Sequence, residues 1–313
     1  MSEWPRRLPN LLGGESSRPG WSFVAMLGGI AIIAMAGCRT PSIHWTAGRN
    51  PDPAETLRLI DRGVDIDIQQ ADNSGTPLHK AAGWNPNPEV VAALIEAGAD
   101  VDARTKYGRT PLFHAARNRA DPLVLEMLLQ AGADPFATVG PASSTLFHEA
   151  AVFNEHPEIL AFLLTVGLNA TATDELGSSP LHSAAQMNRN PEVLTFLIEA
   201  GNAVGTMNLL EVTPLHIAVM SPVGSKTVPL LLAAGADVDA RDDAGRTPLH
   251  RAMGRNDNQA VIRLLVAAGA DVNARDDAGT TPLDQRGYST FGKRRNREAL
   301  IAAGGTHGGD PAP

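Results

Sequence analysis

From Gly245 to Asp277 the chain passes through blocks of opposite character. Gly245-Arg246-Thr247-Pro248-Leu249-His250-Arg251-Ala252 reads as a polar turn leading into a short helix whose Leu and Ala face inward. Threonine supplies a side-chain oxygen to cap free amides. Proline at the first helical position gives up an N–H that has no intrahelical partner anyway. A polar break, Gly254-Arg255-Asn256-Asp257, precedes a second helix carrying Val261, Ile262, Leu264, Leu265 and Val266. That helix is apolar around so much of its circumference that neighbours must cover both flanks. Ala268-Gly269-Ala270-Asp271 ends it, with glycine placed for the left-handed conformation past a helix C-terminus. A polar extended excursion, Asp271 to Gly279, then leads back to another threonine.

This block pattern recurs. Thr-Pro-Leu-His is intact at Thr76–His79, Thr213–His216 and Thr247–His250. Altered copies stand at Thr110–Phe113, Thr145–His148, Ser179–His182 and Thr281–Asp284. The second positions are 77, 111, 146, 180, 214, 248 and 282, so every step is 34 residues except one of 35. A fixed period of this length predicts a stacked array in which each unit buries its apolar face only against its neighbours.

The motif and its period resemble those of the ankyrin repeat, which carries Thr-Pro-Leu-His-x-Ala every 33 residues or so. The resemblance covers about 52–307. It implies an all-α solenoid of paired antiparallel helices with protruding β-hairpin fingers, and a protein-binding scaffold as the function. The turn between helices carries one extra residue, and second helices often open on a cap-plus-proline pair, as at Asn87-Pro88, Asp121-Pro122, His156-Pro157 and Asn190-Pro191. The array divides into a degenerate N-terminal cap holding only a second helix from Asp52, about six repeats, and a C-terminal cap from 280. Residues 308–313 read as a flexible tail.

Composition narrows the partner. Aromatic residues make up 4% of the chain and the formal charge is −8. Residues 1–37 hold three arginines against two glutamates, so the remainder carries −9. That surface is a poor match for nucleic acid, which needs a broad basic stripe. Lys293-Arg294-Arg295-Asn296-Arg297 is too narrow for one and reads as the solvated face of the C-terminal cap.

The single cysteine, Cys38, follows Arg6, Arg7 and Arg18 and the uncharged run Trp21 to Ala36. Sixteen residues fall short of the ~20 that a spanning helix requires. A basic flank, a short apolar run and small residues before the break are features of an export signal over 1–37. Met35-Ala36-Gly37-Cys38 further resembles the bacterial lipobox, which implies lipidation at Cys38 and, with Arg39 after it, the outer membrane or periplasm. An uncleaved anchor and a plain cleaved signal are the alternatives. Residues 38–51, with Pro41, Gly48 and Pro51 and no apolar periodicity, read as a tether.

Nine histidines raise the question of metal or catalysis. Five of them (His79, His148, His182, His216 and His250) share one repeat position. Equivalent positions in stacked helices lie ~8–10 Å apart, whereas ligands of one zinc ion each lie ~2.0–2.1 Å from it. The column therefore predicts turn-tying histidines, not a metal site; His114 stands one position late, beside Phe113. Asp242-Asp243 and Asp276-Asp277 fall in turns without calcium-loop spacing. Catalytic and phosphate-binding motifs are absent from the sequence, so no cofactor, small-molecule substrate or enzymatic activity is expected.

Candidate partner contacts are the residues that depart from the repeat. Thr206-Met207-Asn208-Leu209-Leu210-Glu211 places Met207, Leu209 and Leu210 where other fingers are polar. Glu211 replaces the turn glycine, which predicts another backbone path, and Pro229 interrupts the same unit's second helix. Drift in a redundant array explains such departures as readily as function does. Trp84, Lys106 and Tyr107 are further candidates, since exposed aromatics often anchor interfaces. The finger Ala137 to Ser143 is uncharged, one residue longer, and accounts for the 35-residue step. The scaffold is expected to act as a monomer toward a protein partner; a secreted or host-directed effector and an accessory or immunity-type protein for a periplasmic enzyme are the alternative readings.

Overall fold

The computed structural model describes residues 42–308 except 73, 120, 255–258 and 286–289, and the helical backbone alone of 290–294. The export segment, Cys38, the centre of the break at 255–257 and the last five residues lie outside it. Helices alternate along the chain as first and second members of each unit. The first members are α1 (Ile43–Arg49), α3 (Pro77–Trp84), α5 (Pro111–Asn118), α7 (Leu146–Phe153), α9 (Pro180–Met187), α11 (Pro214–Ala218) and α13 (Pro248–Met253). The second members are α2 (Pro53–Asp61), α4 (Glu89–Glu96), α6 (Leu123–Gln130), α8 (Pro157–Thr165), α10 (Pro191–Glu199), α12 (Gly224–Ala233) and α14 (Gln259–Ala267). A 3₁₀ turn at Pro282–Asp284 and α15 (Thr290–Ala302) close the stack. Each first helix packs on the next, α1 on α3 through to α11 on α13, and second helices run alongside, as α10 does on α12. This is the expected ankyrin solenoid.

The period works through columns. The leucine of the motif, at 78, 112, 181, 215 and 249, is fully buried in every copy, and Phe147 takes its place in α7. Burying each such side chain contributes roughly 1.5–3 kcal/mol, so the core extends continuously through the stack. At the head of each first helix the cap residue and the histidine form a reciprocal box, as in Thr213 and His216. At Thr110 the box fails because Phe113 carries no ring nitrogen, and Thr110 Oγ1 is buried without a hydrogen-bond partner.

A second column was not anticipated from the sequence. Asn154 reaches back into the preceding unit, its Nδ2 donating to the carbonyls of Ala116 and Arg119 at 2.7 Å each. Asn85 and Asn188 repeat the contact two units earlier and one later. Arg119 stands in the same column and caps the end of α3 instead, donating to Ala82 O (2.7 Å), Ala81 O (2.5 Å) and Asn85 O.

Both ends differ from expectation. The tether assigned to 38–51 is largely helical: α1 buries Ile43, Thr46, Ala47 and Gly48 against α3. Of those four buried positions only Ile43 and Ala47 are hydrophobic, too few for an apolar periodicity to register in the sequence. Gly48 permits the close approach, since a Cβ there would meet Lys80 Cβ at 3.1 Å. The N-terminal unit therefore has both helices, and the array begins at 43 rather than 52. At the other end Gly308, assigned to the tail, is tied down: its N–H donates to Asp284 at 2.7 Å and its carbonyl accepts from Arg275 at 2.6 Å.

The fingers are narrow. One of them forms a two-residue antiparallel ladder, Thr138 opposite Thr145 and Val139 opposite Ser144. Others close with one backbone bond across the turn and one within it, such as Asp242 N to Arg246 O at 3.0 Å and Gly245 N to Asp242 O at 2.8 Å. The finger containing Leu209 closes the same way, Asn208 N to Val212 O at 3.1 Å, with Glu211 at φ 55°. The expected alternative path is thus corrected: Glu211 adopts the left-handed conformation that Gly245 adopts at φ 71°.

Candidate functional site

Finger tips are stitched to one another. Glu175 N donates to Ala142 O, Leu209 N to Leu176 O, Asp243 N to Leu210 O and Asp277 N to Ala244 O, at 2.8 to 3.2 Å. Donors and acceptors each recur every 34 residues. One unit earlier the donor position is Pro141, which has no N–H, facing the Tyr107 position. At that missing rung a cleft of ≈ 220 Å³ opens between Tyr107, Arg109, Val139, Pro141 and Glu149.

A larger cleft, ≈ 370 Å³, continues from it beneath the next tips. Its walls include Arg109, Glu149, Phe153, Asp174, Leu176, Ser178, Ser183 and Met187. The residue after the column histidine varies in chemistry (Lys80, His114, Glu149, Ser183, Ile217 and Arg251), and three of these, Glu149, Ser183 and Ile217, line the cleft. Glu149 is buried and receives Arg109 on both carboxylate oxygens, at 3.0 and 3.3 Å. Arg117 lies 3.8 Å from the same carboxylate, with its guanidinium 3.4 Å from the Phe153 ring centroid.

Every candidate contact within the described residues is exposed: Trp84 50%, Tyr107 59%, Met207 49%, Leu209 72% and Leu210 55%, with Lys106 exposed as well. Lys106 Nζ sits 5.0 Å from the Tyr107 ring centroid and Arg109 approaches the same ring at 5.6 Å. Leu209 is joined to Leu176 through the tip bond. Trp84 lies apart, with Lys80 Nζ 5.1 Å over its ring. Sequence reasoning passed over Leu176 (54% exposed), Met187 (50%), Phe153 and the Arg109–Glu149 pair. Aligning the repeats column by column would have grouped Phe153 and Met187 with Trp84, since all three occupy one repeat position, and Leu176 with Leu210.

The histidine column is structural. His182 Nδ1 accepts from Ser179 N–H at 3.1 Å and Nε2 donates to Val212 O at 2.9 Å. The other four make the same pair of contacts, each to a carbonyl 30 residues on. With both ring nitrogens engaged, neither is open to a metal. Burial lowers the pKa of His79 and of His216 to about 4. His114 is lowered by burial to about 3 and packs edge-on against His79 and Trp84, at 5.2 Å from each ring. Asp242 is likewise structural. Burial opposes its ionisation, but hydrogen bonds from Arg251 and from the backbone of Arg246 and Ala244 outweigh it and hold the carboxyl below its usual range. Among the described residues no helix is long and apolar enough to cross a membrane.

No curated protein matches the chain significantly. A family model described as ankyrin repeats (3 copies) matches residues 43–139, 147–242 and 215–286. Those matches cover most of the stack, columns and fingers included, and the chain belongs to the ankyrin-repeat family.

Proposed function

We propose that this protein is a non-catalytic scaffold, fixed to a bacterial membrane by a lipid on Cys38, that binds a protein partner along the edge from Tyr107 to Leu210. Ankyrin repeats imply a protein–protein interaction scaffold; the face and the anchor are the finer claims. The observation that carries the face is the placing of Tyr107, Leu176 and Met187 around two adjoining clefts, with Leu209 and Leu210 on the finger bonded to Leu176, each at least half exposed. Aromatic residues, methionine and arginine are enriched in interface cores, which favours Tyr107, Met187 and Arg109 as the anchors, with the leucines as surrounding apolar contact. The membrane anchor rests on Met35-Ala36-Gly37-Cys38 and the apolar run before it.

Metabolic labelling with an alkyne fatty acid tests the anchor. Wild type is expected to label and to fractionate with membranes, and Cys38→Ser to do neither. An unlabelled, released wild type would support a secreted effector instead. A photo-crosslinking residue at 209, compared with one at the exposed Leu164 on α8, tests the face. Equal crosslinking from the two positions would remove it.

A further inference from the structure

Three columns of the repeat converge beneath each finger tip: the residue that opens the tip turn, the residue four later, and the residue after the column histidine. In one unit these are Asp242, Arg246 and Arg251. Asp242 Oδ1 accepts from the backbone N–H of Ala244 and Arg246 at 3.0 Å each. Its other oxygen receives two guanidinium groups, Arg246 Nε at 3.1 Å and Arg251 Nε at 2.8 Å. In the preceding unit the trio is Asn208, Val212 and Ile217, neutral throughout. Two units before Asp242 it is Asp174, Ser178 and Ser183.

There the carboxylate is retained while both arginines are replaced by serine. Asp174 Oδ1 still closes its turn, accepting from Leu176 N and Ser178 N at 2.9 Å each. Among the described residues no lysine or arginine forms an ion pair with it. The space that two guanidinium groups fill below Asp242 is open below Asp174, and it is the cleft of ≈ 370 Å³. Of the charged residues lining that cleft, Arg109 is held by Glu149, and neither it nor Arg117 forms an ion pair with Asp174.

We propose that this cleft is a subsite for an arginine side chain of the protein partner. Its guanidinium fork would meet the free oxygen of Asp174 and the hydroxyls of Ser178 and Ser183, while its methylene stem lies along Leu176 and Met187. A planar group with several donors suits acceptors spread around a cleft better than the compact ammonium of lysine, and guanidinium is what this chain itself places in the corresponding position. The subsite rests on the reading of this edge as the binding face.

The test uses the full-length protein in detergent with ¹³C-methyl-labelled methionine, titrated with N-acetyl-arginine methylamide and with its neutral citrulline counterpart. Met187 is expected to shift saturably with the arginine compound, while Met127 and Met253 stay still. The citrulline compound is expected to leave all three unmoved. Asp174→Asn should weaken the arginine response at least tenfold without loss of fold, since Asn208 closes the neighbouring turn with the same two backbone bonds. Ser183→Arg should abolish it, because the introduced guanidinium fills the cleft from within. A non-saturating shift, an equal citrulline response or an unchanged Asp174→Asn titration would overturn the subsite. Crosslinking from position 209 that persists in that event would preserve the wider binding face; loss of that crosslinking beside an intact arginine response would remove only the face.

Discussion

His79 and His216 each join their own helix start to the following unit, and both do so as neutral rings. Because burial lowers their pKa to about 4, against about 6.5 in the unfolded chain, the unfolded state binds more protons between those values. Stability is therefore complete above pH 6.5 and falls as pH drops toward 4, the direction that the lowered pKa values of His148, His182 and His250 reinforce. Urea midpoints measured from pH 7.5 to 4 should decline across that window; a flat profile would contradict the ladder. His182→Ala, which strands Ser179 N–H and leaves Val212 O only its bond from Asn208 N, should cost about 1–3 kcal/mol at neutral pH. Glu211 offers the opposite case. A non-glycine residue in the left-handed region is strained by about 1–3 kcal/mol, part of which the extra freedom of unfolded glycine offsets. Glu211→Gly should stabilise by about 0.5–1 kcal/mol in the same assay. The sequence exposed the histidine column and ruled against a shared metal by spacing alone. It could not reveal that Glu211 keeps the ordinary path, since that depends on the neighbouring finger: Leu209 is bonded to Leu176 and Leu210 to Asp243.

At the scale of elements, the helices were legible because threonine, proline, leucine and histidine each act locally, through a cap, a fixed φ and a buried side chain. The cap-plus-proline starts behaved as read at Asn190, whose side chain accepts from Glu192 N at 3.0 Å. The finger interactions were less legible. The 35-residue step marked the finger holding Pro141 as unusual, yet nothing local says that position 141 is where its neighbours donate across the gap. Pro141→Ala restores an N–H at that rung. Hydrogen exchange should then show a protected amide at 141, with protection comparable to Leu209 and Asp243, and the adjoining cleft should narrow. An amide that exchanges as fast as an exposed loop would show that the fingers are held apart by something other than the proline.

For the whole molecule, stability in a stack is a sum of unit and neighbour terms, so the terminal units govern fraying. The N-terminal unit is more complete than its sequence indicates, with α1 covering α3 and its carbonyls at Ala47 and Asn50 receiving Asn85. Ile43→Asp should accordingly cost about 2–4 kcal/mol and raise hydrogen exchange in α3 while leaving α9 to α14 protected. Uniform destabilisation would mean that the array unfolds as one block. The proposed binding edge was only half legible for a related reason. Leu209 and Leu210 break their own column conspicuously, whereas the importance of Asp174 lies in what is missing around it, the arginines that accompany Asp242.

The row of tip-to-tip bonds also has a mechanical meaning. Four rungs bind the fingers from Ala142 onward into one continuous margin, and the break at Pro141 separates that margin from the Tyr107 finger. Under tension between the ends, the load along this margin has to cross at that point without a tip rung, through the Arg109–Glu149 pair, the Asp134 N to Asp102 bond and helix packing. The stack therefore has a preset place to yield, between the units of Tyr107 and Pro141, and it lies beside the clefts through which a partner would take hold.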